Sequence, residues 1–371
     1  MKYFIWFLRI VVGVLFIFSG LVKANDPLGL TYKMDEIFDI WHMSFMAPYT
    51  LYFSIAMIAF EIIAGVALLI GYAFRAMSFL LLLLNLFYTF LTAYALFSGK
   101  IKECGCFGDC FKISNEATFG KDVVLLVMSV ILFAYRKSVA PLFSKYATSA
   151  LMILAVFFSF WAQWYTLEHL PVNDCLAYKP GNNLWEKMQP APDATPDVYQ
   201  TTFIYQKNGV KKEFTSANYP WQDTTWVFVD KTDKLIKEGT GQPAIPKDFA
   251  ILDSDQKDHT EEILKAKGYQ YFFFLRKPED ARTDNMKILQ SLIAQAKKAG
   301  IPFYFLCSTD YESGKAFAAK NGIALPPYIM DVTISKTVMR SNPGLMLLKD
   351  GTVVHKWSYR DYPKSIPTGG Q

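Results

Sequence analysis

Residues 51–74, LYFSIAMIAFEIIAGVALLIGYAF, are apolar throughout except for one charge, Glu61. A helix needs about 20 apolar residues to cross the hydrocarbon core of a bilayer, so this stretch reads as a membrane span. Working outward, residues 3–22 meet the same requirement with Arg9 as the one charge. Residues 76–98 and 146–167 meet it with none. Residues 117–135 meet it if Lys121 and Asp122 stay at the interface. The expectation is five spans within residues 1–167. The first carries no small-residue cleavage site, so it reads as a retained anchor.

Composition agrees. The chain of 371 residues is 52% hydrophobic and 16% aromatic, above the usual apolar share of a soluble domain. Its net charge of +5 comes without a dense basic run, so nucleic acid is excluded as a partner and membrane lipid is expected. Between the first two spans, residues 33–46 place Met34, Ile37, Phe38, Trp41 and Phe45 on one helical face. Such a helix either lies in the membrane interface or packs on its own bundle.

Lys2, Arg75, Arg136, Lys137 and Lys145 fall on one side of the membrane, with Arg75 in a very short connection. Lys100, Lys102, Lys112 and Lys121 fall on the other side, and the shortness of the Arg75 connection tips the count: the expectation is an N-terminus in the cytoplasm and, after five spans, everything beyond residue 167 outside. Cys104, Cys106, Cys110 and Cys175 then share the outer, oxidising face.

Residues 168–195, rich in Pro, Asn and Gly, read as a linker. Residues 196–246 read as a small β-rich element with a hairpin turning at Asn208-Gly209. From 247 to 360 strands alternate with helices: YQYFFFLR, a helix through Met286, Leu289, Ile293 and Ala296, then IPFYFLCS and a second helix. A hairpin turning at Asp350-Gly351 follows, and residues 361–371 form a tail.

The chemistry is expected at the cysteines. KECGCFGDC, residues 102–110, places three within seven positions. Gly105 allows the bend that brings Cys104 and Cys106 together, and a ring that small is strained and readily reduced. Cys110 is either a resolving thiol or a partner for Cys175. Exchange-active thiols, a structural staple and a metal or iron–sulfur site are the three readings. The spacing matches no common metal pattern, so no metal is assigned. Glu61 is the second candidate: a carboxylate inside a span is costly, and it either handles protons or ties helices together. Arg9 is its candidate partner. His42, His169, His259 and His355 form no ligand spacing; His169 is close enough in sequence to Cys175 to tune a thiol. Cys307 reads as a small buried hydrophobe.

FEIIAGVALLIGYAFR resembles the DoxX family of four-helix membrane proteins, and CGCFG followed by FGKDVVLLVMSVIL is similar to MauE-type proteins. The whole resembles the Bacteroidetes type of DoxX-family protein with a soluble C-terminal domain. That domain, with Pro343 directly before a hairpin strand, resembles thioredoxin, whose Cys-x-x-Cys pair is replaced here by LRKPEDARTD. The expected fold is therefore a DoxX/MauE-like helical bundle with a fifth span, followed by an α/β thioredoxin-like domain with a small β insertion.

The resemblance implies a thiol–disulfide oxidoreductase of the inner membrane. It would use Cys104, Cys106, Cys110, Cys175 and Glu61, and a periplasmic domain would dock envelope or exported proteins. A non-catalytic envelope scaffold is the alternative. A subunit of a quinone-linked sulfur enzyme is the third, with quinone the one candidate cofactor.

Overall fold

The computed structural model describes residues 2–98, 101, 108–111, 113–196, 198–237, 239–246 and 248–366. It divides into two compact units, residues 1–161 with 193–241, and residues 162–192 with 242–371.

Helices α1 (Lys2–Asn25), α2 (Pro27–Ile40), α3 (Thr50–Ile70), α4 (Phe74–Ser98) and α5 (Asn115–Ala134) lie in the first unit, with α6 (Lys145–Glu168) up to Trp161. Apart from α2, all are long and apolar enough to cross a membrane, so the five expected spans are five helices. They begin and end for local reasons. Asp26 accepts from the Gly29 amide and Pro27 opens α2, which supplies the first-turn cap that a helix lacks by itself. Ser114 accepts from the Ala117 amide at the start of α5. α3 ends at Gly71, whose φ of 78° is left-handed. A side chain there would also meet the Ala140 carbonyl at 2.8 Å.

α1 and α3 pack through small residues. A Cβ at Gly65 would sit 2.8 Å from the Gly13 carbonyl oxygen, and one at Gly20 would sit 2.6 Å from Ile62. Glycines let the two backbones approach where hydrophobic burial gives helices in lipid little reason to associate. Around that seam Leu8, Val12, Phe16, Ala64, Leu68, Leu81, Leu125 and Leu132 form the bundle core.

The 33–46 segment differs from its expected form. The helix starts at Pro27 and stops at Ile40. His42 takes a left-handed φ of 57°, and a separate 3-10 turn covers Ser44–Tyr49. Ile37 is buried with Leu91 and Ala95 of α4, whereas Phe45 is 70% exposed and leaves the shared face. α2 therefore packs on its own bundle.

In the same unit, β1 (Val198–Lys207), β2 (Val210–Thr215) and β3 (Val227–Lys237) form an antiparallel sheet in the order β2-β1-β3. Asn208 and Gly209 both have positive φ, the geometry that a tight hairpin turn needs.

The second unit holds α7 (Leu184–Lys187), α8 (Thr260–Lys265), β4 (Tyr269–Leu275), α9 (Met286–Lys298), β5 (Phe303–Cys307), α10 (Tyr311–Lys320), β6 (Pro327–Ile329), α11 (Val332–Val338), β7 (Gly344–Lys349) and β8 (Thr352–Ser358). The sheet order is β6-β5-β4-β7-β8, with β4, β5 and β6 parallel and β7 and β8 antiparallel. Strand alternation splits its apolar side chains between two layers. Phe272, Phe274, Met346 and Leu348 meet α8 and α11. Tyr271, Phe273, Leu345 and Leu347 meet α9 and α10. The stretch read as a linker is structural here. Tyr178, Leu184 and Met188 are buried in the first of those layers, because apolar side chains spaced among Pro and Asn still have core surface to fill.

Candidate functional site

α1 continues one turn past its expected end, and that turn carries Lys23 into the bundle. The Lys23 ammonium donates to Glu61 Oε1 at 2.5 Å, with the two side chains 2% and 0% exposed. The Tyr88 hydroxyl of α4 donates to the same carboxylate oxygen. Lys23 Nζ also reaches Tyr88 Oη at 3.4 Å and sits 4.8 Å from that ring's centre. Glu61 Oε2 is buried with no hydrogen-bond partner among the described residues. Two opposite charges with a hydroxyl between them satisfy most of a costly arrangement, and one acceptor is left over.

The expected partner, Arg9, is elsewhere. Its guanidinium donates to the Leu68 and Leu69 carbonyls, at 2.5 and 2.7 Å. These belong to the last turn of α3, where a cation meets unpaired carbonyls and the negative end of the helix dipole. Arg9 and Lys23 are about 21 Å apart along α1. Arg9 thus serves the C-terminal end of α3, while Lys23 serves Glu61. Lys23 was legible in principle. Gly20 faces Ile62 and Glu61, and a residue three positions on shares that helical face.

Lys23 and Tyr88 also line a cavity with about 370 Å³ of free space, part of it open to the surroundings, together with Ser19, Asn85, Lys121 and Asp122 and the apolar Leu15, Phe16 and Leu125. Asp122, expected at the interface, is 2% exposed. It pairs with Lys121 at 2.7 Å, and its Oδ2 has no partner among the described residues. Asn85 donates to Ser129 at 2.5 Å. Sequence reasoning missed Tyr88 and Asn85, because an amide or hydroxyl inside an apolar run carries no periodic signal of its own, and it left Asp122 at the interface and not inside the bundle.

The cysteines divide. Cys104 and Cys106 lie outside the described residues. Cys110 and Cys175 are each disulfide-bonded. Cys110 ends a short 3-10 turn, Gly108–Cys110. A Cβ on Gly108 would lie 3.6 Å from Val22, and the Phe111 ring is 5.7 Å from that of Phe18. On the other side of the loop, Ile101 is buried with Ile37 and Leu91. The two described ends of the cysteine loop therefore sit at the Lys23 end of the bundle.

In the second unit, His169 is held by both carboxylate oxygens of Asp361 at 2.8 Å and stacks on Tyr165. Cys175 Sγ lies 3.6 Å from the Asn173 carbonyl. Cys307 is fully buried, and burial pushes its thiol pKa up. The Asn342–Pro343 peptide is cis. The Asn342 side chain accepts from the Arg276 amide and donates to the Lys277 carbonyl. These contacts close the end of β4 where LRKPEDARTD begins. The described residues hold no group of three or more His, Cys, Asp or Glu side chains arranged for a metal ion.

Five bilayer-length helices with a buried, hydrogen-bonded ion pair between three of the bundle's helices define a polytopic membrane protein. More particularly, residues 1–135 match the family of the methylamine utilisation protein MauE, and residues 199–238 match the domain of unknown function DUF8463. No curated protein and no solved structure matches the chain.

Proposed function

We propose that this membrane protein is a thiol–disulfide redox component that acts through the 104–110 cysteine loop on the extracytoplasmic face of the inner membrane. The observation that carries the reading is the position of the loop. Its described ends, Ile101 and Gly108–Cys110, sit at the end of the bundle where Lys23, Tyr88 and Glu61 meet. A substrate thiolate attacks one sulfur of the Cys104–Cys106 bridge and expels the other as a thiolate. A second substrate thiolate then resolves the mixed disulfide. The substrate leaves oxidised, and two electrons remain on the cysteine pair. The two protons given up by the substrate thiols end on the cysteine pair as two thiols, and a buried carboxylate beside the site is suited to relaying one. Cys110 and Cys175 relay or brace this exchange. The match of residues 1–135 to the MauE family supports a membrane redox or maturation role.

The β4–β8 domain is read as thioredoxin-like and as a docking module for exported proteins. Its support is the strand order, the parallel strands followed by an antiparallel hairpin, and Pro343 directly before β7. Arg276, Lys277 and Pro278 stand where that fold carries its dithiol, so the module binds without exchanging.

The bonded state of Cys110 and Cys175 also favours a purely structural brace. Thiol trapping at defined redox potentials, read by mass spectrometry for each cysteine, separates the two. Exchange-active cysteines titrate within the physiological range. Staples stay oxidised until potentials fall below about −300 mV, and that outcome for Cys104 and Cys106 sinks the redox reading.

A further inference from the structure

Two buried carboxylates adjoin the cavity beside Lys23, and each has one oxygen without a hydrogen-bond partner among the described residues: Glu61 Oε2 and Asp122 Oδ2. Asp122 lines the cavity and is 2% exposed. Glu61 is reached from it through Lys23 and Tyr88, which line the cavity and both donate to Glu61 Oε1. Lys23 is in the last turn of α1, and Asp122 lies about two turns into α5. The charged groups of the cavity are therefore at the end of the bundle where the described ends of the cysteine loop sit. Glu61 is deeper, at the middle of α3. Beyond the cavity, Phe16, Leu81, Leu125 and Leu132 fill the bundle core.

We infer that this cavity is a proton antechamber: water in it carries protons between the cysteine-loop end of the bundle and Glu61, with Asp122 as the relaying carboxylate and Tyr88 as the last donor. Three observations point there. A buried carboxylate with an open oxygen needs a donor, and a cavity walled by several polar groups supplies one as water. Tyr88 already stands in line: its oxygen accepts from Lys23 and its hydroxyl donates to Glu61, so it can take up one proton as it gives another. The charges also balance. Lys23 pairs with Glu61 and Lys121 with Asp122, so one proton shared between the two carboxylates leaves a negative charge near the lysines at every stage.

The inference deepens the proton role proposed for Glu61, and it rests on the thiol-exchange reading only for the source and destination of the protons. A cavity water gives a proton to Asp122 Oδ2. Asp122 returns it to a second water, which passes one to the Tyr88 oxygen as the Tyr88 proton moves to Glu61 Oε1. Glu61 is then neutral, Asp122 is again a carboxylate, and Lys23 stays an ammonium. The reverse sequence returns the proton toward thiolates formed at the cysteine loop. Beyond the cavity lies the apolar core, so the proton is stored and returned, not carried across the membrane.

The test follows protonation of Glu61 after a rapid drop in pH, by time-resolved infrared spectroscopy on the full chain in nanodiscs. It is done with Cys104→Ser/Cys106→Ser, so the result does not depend on whether those thiols exchange. The carboxyl band that disappears in Glu61→Gln identifies the group. Asp122→Asn should slow the rise of that band about tenfold or more and leave its final height unchanged. Asp122→Glu should keep the original rate. Azide, a small diffusible proton carrier, should restore the rate in Asp122→Asn, which repair of a merely structural loss would not do. Ser19→Leu, which fills the cavity and keeps both carboxylates, should slow the band as well. An unchanged rate in Asp122→Asn or in Ser19→Leu, a slowed rate that azide leaves slow, or no Glu61 band at all would overturn the relay. Thiol trapping of the unsubstituted chain reads the exchange proposal separately.

Discussion

Lys23 Nζ lies 2.5 Å from Glu61 Oε1, and both side chains are shut away from solvent between α1 and α3. Each charge is tolerable only because the other is present. Lys23→Met or Glu61→Leu alone should therefore destabilise the bundle by about 3–5 kcal/mol, since the remaining charge is buried without compensation. The double variant should recover most of that loss. Thermal or denaturant unfolding in detergent checks it; singles that sum to the double would show that the pair is not coupled.

Gly65 and Gly120 are both helical glycines, yet alanine should act on them in opposite directions. At Gly65 the new methyl meets the Gly13 carbonyl at 2.8 Å, a backbone atom that cannot turn aside. A loss of about 1–3 kcal/mol is expected from overpacking. At Gly120 nothing lies within 4 Å, and alanine should stabilise α5 by about 0.5–1 kcal/mol. The same unfolding measurement compares the two.

Cys307 should resist alkylation in the folded protein. Its thiol is fully buried, and burial pushes its pKa up, which keeps the reactive thiolate scarce. N-ethylmaleimide at pH 8 should leave it unmodified until denaturant is added. Rapid native labelling would place this sulfur at an open site.

His259 Nε2 lies 2.8 Å from Asp253 and Nδ1 lies 3.3 Å from Glu262. The bond to Asp253 first, then the one to Glu262, raises the pKa of the ring above its ordinary value. The bond from His259 likewise lowers that of Asp253. A raised histidine contributes stability that is full below its unfolded pKa, about 6.5, and fades as pH rises through the folded value. Asp253 contributes above its ordinary carboxylate range and fades as pH falls through its depressed value. His259→Gln should therefore flatten the fall in melting temperature between about pH 6 and pH 8. An identical slope in the variant would sever the ring from stability.

The spans, the hairpin turns and the alternation of strand and helix were legible along the chain because each is a local property. Twenty apolar residues have nowhere to go but a bilayer or a core. Asn208-Gly209 and Asp350-Gly351 turn because positive φ is tolerated there. YQYFFFLR forms a central strand because both of its faces can be buried. Glu61 stood out by the same kind of reasoning, as a lone charge in an apolar run.

Its partner was not local. Arg9 and Lys23 are equally cationic and share one helix. The choice between them follows from the antiparallel register that Gly13, Gly20 and Gly65 impose on α1 and α3. Tyr88 and Asp122, from two further helices, meet at one cavity beside Lys23 only after the bundle closes. The 168–195 stretch was misjudged for the same reason, since composition describes a segment and not the surface waiting for it. Periodicity reports which side of an element is apolar; which side chains meet depends on backbone approach, and that is decided by contacts far apart in the chain.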